Sequence, residues 1–346
     1  MKAMRMHESG GVDKLMYEDA PDPVIAANEV LVRVKACALN HLEVWSSMMP
    51  PGSRFPKPRI AGSDVAGVVE AVGDAVAAVA GVEVGAKVML QPGVSCGVCQ
   101  ACLAGRDNRC RSYSILGQGV WDGGFAELVK APAANMIPMP ENLSFEEAAS
   151  IPLVFVTAWH MLLSRAGLQR GETVLVNAAG SGVGIAAVQI ARLWGARVIA
   201  SAGSDAKLEK AKALGADEGI NYAAADLAQE AQRLTDGRGV DVVFEHVGGD
   251  VFVKSVQALA RNGRLVTCGA TGGPGGSFNI MALFVREHTI LGSFMGTKAE
   301  LLQAMPYFQS GELRPVVDSV FPLRELGQAV AKMASRDVFG KIVVVA

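Results

Sequence analysis

No apolar run in this 346-residue sequence reaches the ~18 residues that a membrane span requires, so no membrane partner is expected. The opening residues, Met1-Lys2-Ala3-Met4-Arg5-Met6-His7-Glu8, lack the apolar core of a secretory signal, and the expected compartment is the cytoplasm. Neither sign of charge dominates. The 32 basic and 34 acidic residues leave a formal charge of −2, without the clustered cations of a nucleic-acid-binding surface. The chain also lacks internal repeats and low-complexity tracts. What it has is a globular composition, half apolar and 19% charged, in a length too great for one core and suited to two domains. Its 39 glycines point to many tight turns and close backbone approaches.

The first half reads as short β-type runs broken by Gly and Pro, such as Glu29 to Val34, Ala66 to Val72 and Ala86 to Leu90. Short strands punctuated in this way predict an antiparallel, barrel-like domain. The segment Pro50–Pro58 is too proline-rich for regular structure and is expected to be a surface loop. From about Thr157 the pattern changes. Runs at Val174–Val176, Val198–Ala200, Val240–Phe244 and Arg264–Thr267 alternate with amphipathic stretches at Ile185–Trp194 and Ala206–Leu214. Such alternation implies a parallel sheet with right-handed crossovers. After about Gly296 come two helical stretches and a final strand, Lys341–Val345.

Two motifs carry chemistry. After the run Val174–Asn177 comes Ala178-Ala179-Gly180-Ser181-Gly182-Val183-Gly184, then an apolar helix. A strand, a small-residue turn and a helix N-terminus make an anion site, because unpaired N–H groups face a phosphate and small residues admit it. Ala179 and Ser181 stand at the first two glycine positions of Gly-x-Gly-x-x-Gly, so an ordinary tight turn is the bland alternative. The strand before and the helix after make Ser181, Gly182, Val183 and Gly184 candidate dinucleotide contacts. The residue that would accept from an adenosine ribose falls on Ala202, with Gly203, Ser204 and Lys207 following. A hydroxyl and an ammonium favour a 2′-phosphate, hence NADPH; Asp205, three residues on, fits a helix N-cap better. His246 lies at a strand's carboxyl end, the general place for ligand contacts in open sheets.

The second motif is Cys96-x-x-Cys99-x-x-Cys102 with Cys110 eight positions on. Four thiolates close a tetrahedral shell, so the expectation is one structural zinc ion, with an iron–sulfur cluster or disulfides as alternatives.

The order of these features resembles the medium-chain dehydrogenase/reductase superfamily over essentially the full chain. The resemblance runs through Gly62-Ser63-Asp64-Val65-Ala66-Gly67, the cysteine lobe, Gly123-Gly124-Phe125-Ala126-Glu127, Thr157-Ala158-Trp159, the phosphate turn, Val247-Gly248-Gly249 and Gly340-Lys341. It is most similar to the quinone oxidoreductase-like branch with a retained zinc lobe. The resemblance implies an α/β fold. A β-rich GroES-like catalytic domain would occupy 1–153, with its zinc lobe at about 92–112. A Rossmann domain with a six-stranded parallel sheet would occupy 154–296, and 297–346 would return to the catalytic domain. It also implies that Asn40 and His41 are the polar contacts to substrate, with a solvated loop histidine as the alternative for His41. Thr157, Gly203, Tyr222, Gly269, Phe294, Met295 and Lys341 join the expected cofactor contacts, although Phe294 and Met295 equally suit a core. The glycine-rich loop Gly272–Gly276 adjusts the entrance or is only a linker.

This sequence departs from the zinc alcohol dehydrogenase pattern. The first ligand position holds Cys37, but the His-Glu pair is Ser63-Asp64, a later Cys is Leu153, and the relay positions are Leu39 and Leu42. A catalytic zinc needs three good ligands, which Cys37 and Asp64 alone do not supply unless His41 or Glu43 completes an unusual set. Without a metal to hold an alkoxide, hydride addition to a conjugated C=C is the easier chemistry. The expected activity is NADPH-dependent reduction of an enone, quinone or enoyl thioester. The alternatives are a zinc alcohol dehydrogenase with atypical ligands and a non-catalytic NADPH-binding protein. The expected partners are a small-molecule substrate and a further copy of the chain, as a homodimer or homotetramer.

Overall fold

The computed structural model describes residues 1–8, 11–43, 58–76, 82–277 and 279–346. Of the expected surface loop at Pro50–Pro58, only Pro58 falls within them. The chain divides into two compact units, Met1–Leu153 with Thr297–Ala346, and Val154–Gly296. No helix among the described residues is long and apolar enough to cross a membrane.

The first unit is β-rich and GroES-like. Its central strand, Glu29–Ala38, places Val30, Val32 and Val34 inside and Lys35 outside, the alternation of a sheet with one covered face. Asp64–Val72 and Leu128–Pro132 pair with it antiparallel, and Lys87–Leu90 and Met136–Pro138 extend the sheet beyond Asp64–Val72. The chain's last strand, Lys341–Val345, closes on the same central strand, with Val344 opposite Cys37 and Val343 opposite Ala38. Asp64 also sits opposite Ala38, on the other side of that strand. Register therefore brings the final strand beside Cys37 and Ala38, with Asp64 across the same central strand.

The second unit is the expected Rossmann fold. Six parallel strands run in the spatial order Glu218–Asn221, Arg197–Ala202, Thr173–Val176, Val240–Glu245, Leu259–Thr267 and Thr289–Gly292. The first four-residue run, Thr173–Val176, is buried throughout, as strands covered by helices on both faces must be. Helices Gly182–Leu193, Asp205–Ala213, Leu227–Leu234 and Gly249–Ala258 supply that cover. The order reverses between Thr173–Val176 and Val240–Glu245, and crevices for ligands open at such switch points. The fifth strand starts earlier than Arg264, because an irregular segment with Asn262 at φ 60° shifts the register between Val240 and Val242.

Candidate functional site

The first unit holds a buried polar cluster where its two chain segments meet. The Lys341 ammonium donates to Leu39 O and Asn40 Oδ1, both at 2.6 Å, and to Asp64 Oδ2 at 3.1 Å. Asn40 Nδ2 donates to the same Asp64 oxygen at 3.0 Å, and the Leu153 amide donates to Asp64 Oδ1 at 2.8 Å. Glu43 completes the cluster. It accepts from the Asn40 amide at 2.6 Å and from Ser63 Oγ at 3.0 Å, and burial raises its carboxyl to about 7. Glu43 entered the sequence reading only as a spare metal ligand. The signal that it closes a turn was the Asn-x-x-Glu spacing, half of a capping box.

This geometry decides what the degenerate metal positions do. Cys37 is fully buried in the apolar core. Its Sγ lies 2.8 Å from where a Cβ on Gly62 would be and 3.1 Å from one on Gly124. Those two glycines are the space in which the sulfur packs, and burial pushes its thiol well above the ordinary range. Asp64 accepts from the Lys341 ammonium and the Asn40 carboxamide at Oδ2 and from the Leu153 amide at Oδ1. Among the described residues, the only group of three or more potential ligands within 4.8 Å of one another is the four-cysteine lobe.

Lys341, one of the expected cofactor contacts, thus has three acceptors for its ammonium inside its own unit. Asn40 is buried and its carboxamide binds Asp64 and Lys341, whereas His41 is exposed at the start of helical residues 41–43.

In the second unit, Ser181 caps the helix Gly182–Leu193, its Oγ accepting from the Gly184 amide at 3.0 Å. A Cβ on Gly184 would stand 2.5 Å from Ala178 O and 2.9 Å from Ala179 Cα, so only glycine allows the helix to start this close to the strand. The turn's small residues and the amides of Gly182 and Val183, which begin the helix without an intrahelical acceptor, suit a pyrophosphate. At the next strand end, Ala202 is buried and pairs with Asn221. Ser204, not Asp205, is the N-cap of Asp205–Ala213, and the Asp205 carboxylate is held by Asn221 Nδ2 at 2.8 Å. Tyr222 is exposed, and its hydroxyl lies 3.2 Å from the place of a Cβ on Gly203, which gathers Gly203, Ser204 and Tyr222 at one strand end with Lys207 on the helix that follows.

The other expected cofactor contacts also lie in the second unit, apart from Lys341. His246 and Gly269 meet there: a Cβ on Gly269 would lie 2.7 Å from His246 O. Thr157 is buried on Pro152–Trp159, Met295 is buried at φ 52°, and Phe294 is 59% exposed, so the core alternative fits Met295 and not Phe294.

The cysteine lobe is pinched at its base by the pair Gly93–Val94 and Ser114–Ile115. Cys99 caps the short helix Gln100–Leu103, and Cys110 follows the turn Asp107–Arg109. Cys99–Cys102 and Cys96–Cys110 Sγ separations are 3.5 Å and Cys96–Cys102 is 4.0 Å. A disulfide requires ~2.05 Å. A tetrahedron of sulfurs ~2.3 Å from zinc has edges of about 3.8 Å, which these distances bracket. Backbone hydrogen bonds from Val98 and Cys99 lower the Cys96 thiol, and one from Cys102 lowers Cys99 to about 6, whereas burial raises Cys102 to about 11. The donor set fits one closed zinc site.

Comparison with known proteins agrees with both units. Residues 26–141 match the alcohol dehydrogenase GroES-like domain, and residues 182–310 match the zinc-binding dehydrogenase family. The quinone oxidoreductase-like protein 2 of Bos taurus is 30% identical over 95% of this chain and 88% of its own. A crystal structure of an NAD-dependent alcohol dehydrogenase superposes with a TM-score of 0.95 at 46% identity, covering both chains completely. The 2-octenoyl-CoA carboxylase reductase CinF, solved with NADP and 2-octenoyl-CoA, has a TM-score of 0.88 at 28% identity over 100% of this chain and 87% of its own.

Proposed function

The chain belongs to the medium-chain dehydrogenase/reductase superfamily of oxidoreductases, and from that premise we propose that it is an NADPH-dependent reductase of conjugated C=C bonds or quinones. One observation carries the proposal. The positions that would hold a catalytic zinc are filled by a core cysteine, Cys37, and by an aspartate, Asp64, neutralised by Lys341. Alcohol oxidation needs a Lewis acid for its alkoxide, whereas the charge formed on reducing an enone spreads over a carbonyl that hydrogen bonds can stabilise.

The residues divide the work. The turn Ser181–Gly184 would hold the pyrophosphate, and Gly203, Ser204, Lys207 and Tyr222 the adenosine 2′-phosphate. A bound nicotinamide supplies the hydride. The Asn40–His41 segment, fixed by Lys341, Asp64 and Glu43, would orient the acceptor's carbonyl. Glu43, raised to about 7, is the acid in this cluster able to keep a proton at neutral pH. The four-cysteine lobe would take one structural zinc.

A second reading has its own support: the 46% identical neighbour is described as an NAD-dependent alcohol dehydrogenase. Two measurements separate them. NADPH oxidation with a panel of quinones, enones and enoyl-CoA esters supports the reductase, as does one zinc per chain. NAD-dependent alcohol oxidation with two zinc ions per chain supports the dehydrogenase. NADPH bound tightly with no turnover across the panel favours a non-catalytic binding protein.

The protein is also proposed to act as a homodimer. Thr289–Gly292 is an edge strand, and Ile280, Met281, Phe284 and Val285 on the preceding helix are each more than half exposed. An open edge beside an apolar patch is an association surface. Sedimentation velocity should give a dimer, and Phe284→Glu should shift it to monomer.

A further inference from the structure

We propose that His246 is a positioning residue, which fixes the phosphate-binding turn by a hydrogen bond from its Nε2 to the Asn177 carbonyl. This rests on the dinucleotide reading above and departs from the expected role of His246 as a direct ligand contact.

The argument begins with a strained residue. Ala178, one position past Asn177, has φ 43°, a left-handed conformation that an alanine avoids unless its neighbours impose it. Contacts from several directions do so. The Ala179 amide donates to Ser201 O at 2.8 Å, and the Asn177 amide donates to Phe244 O at 3.1 Å. The Asn177 side chain lies between two buried serines, donating to Ser255 Oγ at 2.7 Å and accepting from Ser201 Oγ at 3.1 Å. His246 supplies the contact to the Asn177 carbonyl, at 2.9 Å, and its Nε2 also lies 3.4 Å from Ser181 Oγ.

Sheet order explains how this contact arises. Thr173–Val176 and Val240–Glu245 are neighbours, with Val176 opposite Phe244. Asn177 and His246 are thus the first residues beyond the two strands that flank the switch point. The imidazole packs edge-on to Phe244, with ring centroids 5.9 Å apart.

Chemistry then fixes the tautomer. A carbonyl only accepts, so the Nε2 facing it must carry the hydrogen. Burial lowers the ring's pKa to about 4, which leaves it neutral near neutral pH with that one proton in place. The same nitrogen reaches toward Ser181, whose hydroxyl already takes the Gly184 amide. With the turn's inner polar groups bonded to the sheet, the amides of Gly182 and Val183 begin the helix without an intrahelical acceptor. The contact made by His246 is one step behind the surface that would meet the pyrophosphate.

A contact to the pyrophosphate turn acts on the part that NADPH and NADH share. His246→Phe should therefore weaken both by about the same factor, on the order of tenfold for one lost buried hydrogen bond. His246→Gln, whose amide nitrogen reaches to a similar distance, should restore affinity to near wild type for both. With saturating NADPH, turnover of His246→Phe should stay near wild type, so that the effect is on cofactor KM and not on kcat. Dissociation constants come from quenching of tryptophan fluorescence on titration with each dinucleotide. Selective loss of NADPH, undiminished binding of both cofactors, or a Gln variant as weak as Phe would each overturn the proposal. Nitrogen-15 NMR of imidazole-labelled wild-type protein tests it without any substitution: Nε2–H is expected for His246, and Nδ1–H contradicts it. A wild-type protein that binds neither dinucleotide sinks the proposed function instead, while the tautomer still reports on the contact.

Discussion

Lys341 Nζ lies 3.1 Å from Asp64 Oδ2, and both side chains are almost completely buried, so a cation from the last strand neutralises an acid 277 residues away. Removing one partner leaves the other charge without compensation in a low-dielectric site. Lys341→Met should therefore destabilise the protein by about 3–5 kcal/mol, seen as a lower urea midpoint. Adding Asp64→Asn should recover part of that loss. A Lys341→Met protein as stable as wild type would remove the pair from the account.

Glu43 gives a pH dependence of definite sign. Its folded pKa, about 7, lies above the ordinary 4.5, so between those values the folded state binds more protons than the unfolded state. Stability attributable to Glu43 then falls as pH rises from 4.5 to 7, by up to about 3 kcal/mol. Glu43→Gln keeps a donor and an acceptor for Ser63 and Asn40 and removes the titration. Relative to wild type, its stability should rise as pH goes from about 4.5 to about 7 in paired thermal melts. A constant difference across that range would show that Glu43 does not titrate as argued.

How much of this was legible in the sequence depends on the range of the interaction. The Rossmann sheet was readable because fully buried parallel strands are continuous apolar runs, as at Val174–Val176 and Val198–Ala200, and the intervening helices carry their own period. The four cysteines were readable for a similar reason, since all lie within one short segment. The Lys341–Asp64 pair was not, because only the antiparallel register of the final strand brings the two together. Cys37 matched a ligand position by spacing, but spacing does not report that Gly62 and Gly124 make room for its sulfur inside the core. His246 was correctly placed at a strand end, yet its partner is the backbone carbonyl of Asn177, an atom that no side-chain pattern encodes.

The metal lobe should matter to folding more than to chemistry. A closed four-thiolate site contributes its binding energy to the folded state. Cys99→Ser should lower both zinc content, by elemental analysis, and thermal stability, while the fraction that stays folded transfers hydride at the normal rate. A zinc-free variant with an unchanged melting temperature would argue against a structural metal.

Cofactor choice is tested at the end of the second strand. Ala202 offers no carboxylate to a ribose, and Lys207 follows on the adjoining helix. Lys207→Ala should weaken NADPH by about 1–3 kcal/mol, the range for charge-assisted hydrogen bonds, and leave NADH nearly unchanged. Equal weakening of both cofactors would mean that Lys207 does not read the 2′-phosphate.

The site of hydride delivery tests the central claim directly. On the proposed reading, Cys37 in the core and Asp64 neutralised by Lys341 leave the first unit's described residues without a ligand set for a catalytic metal, and conjugate addition is the expected course. NADPH deuterated at C4 should be incubated with an α,β-unsaturated carbonyl substrate and the product read by NMR. The account predicts deuterium on the β-carbon of a saturated carbonyl product; deuterium on the carbonyl carbon of an alcohol would contradict it.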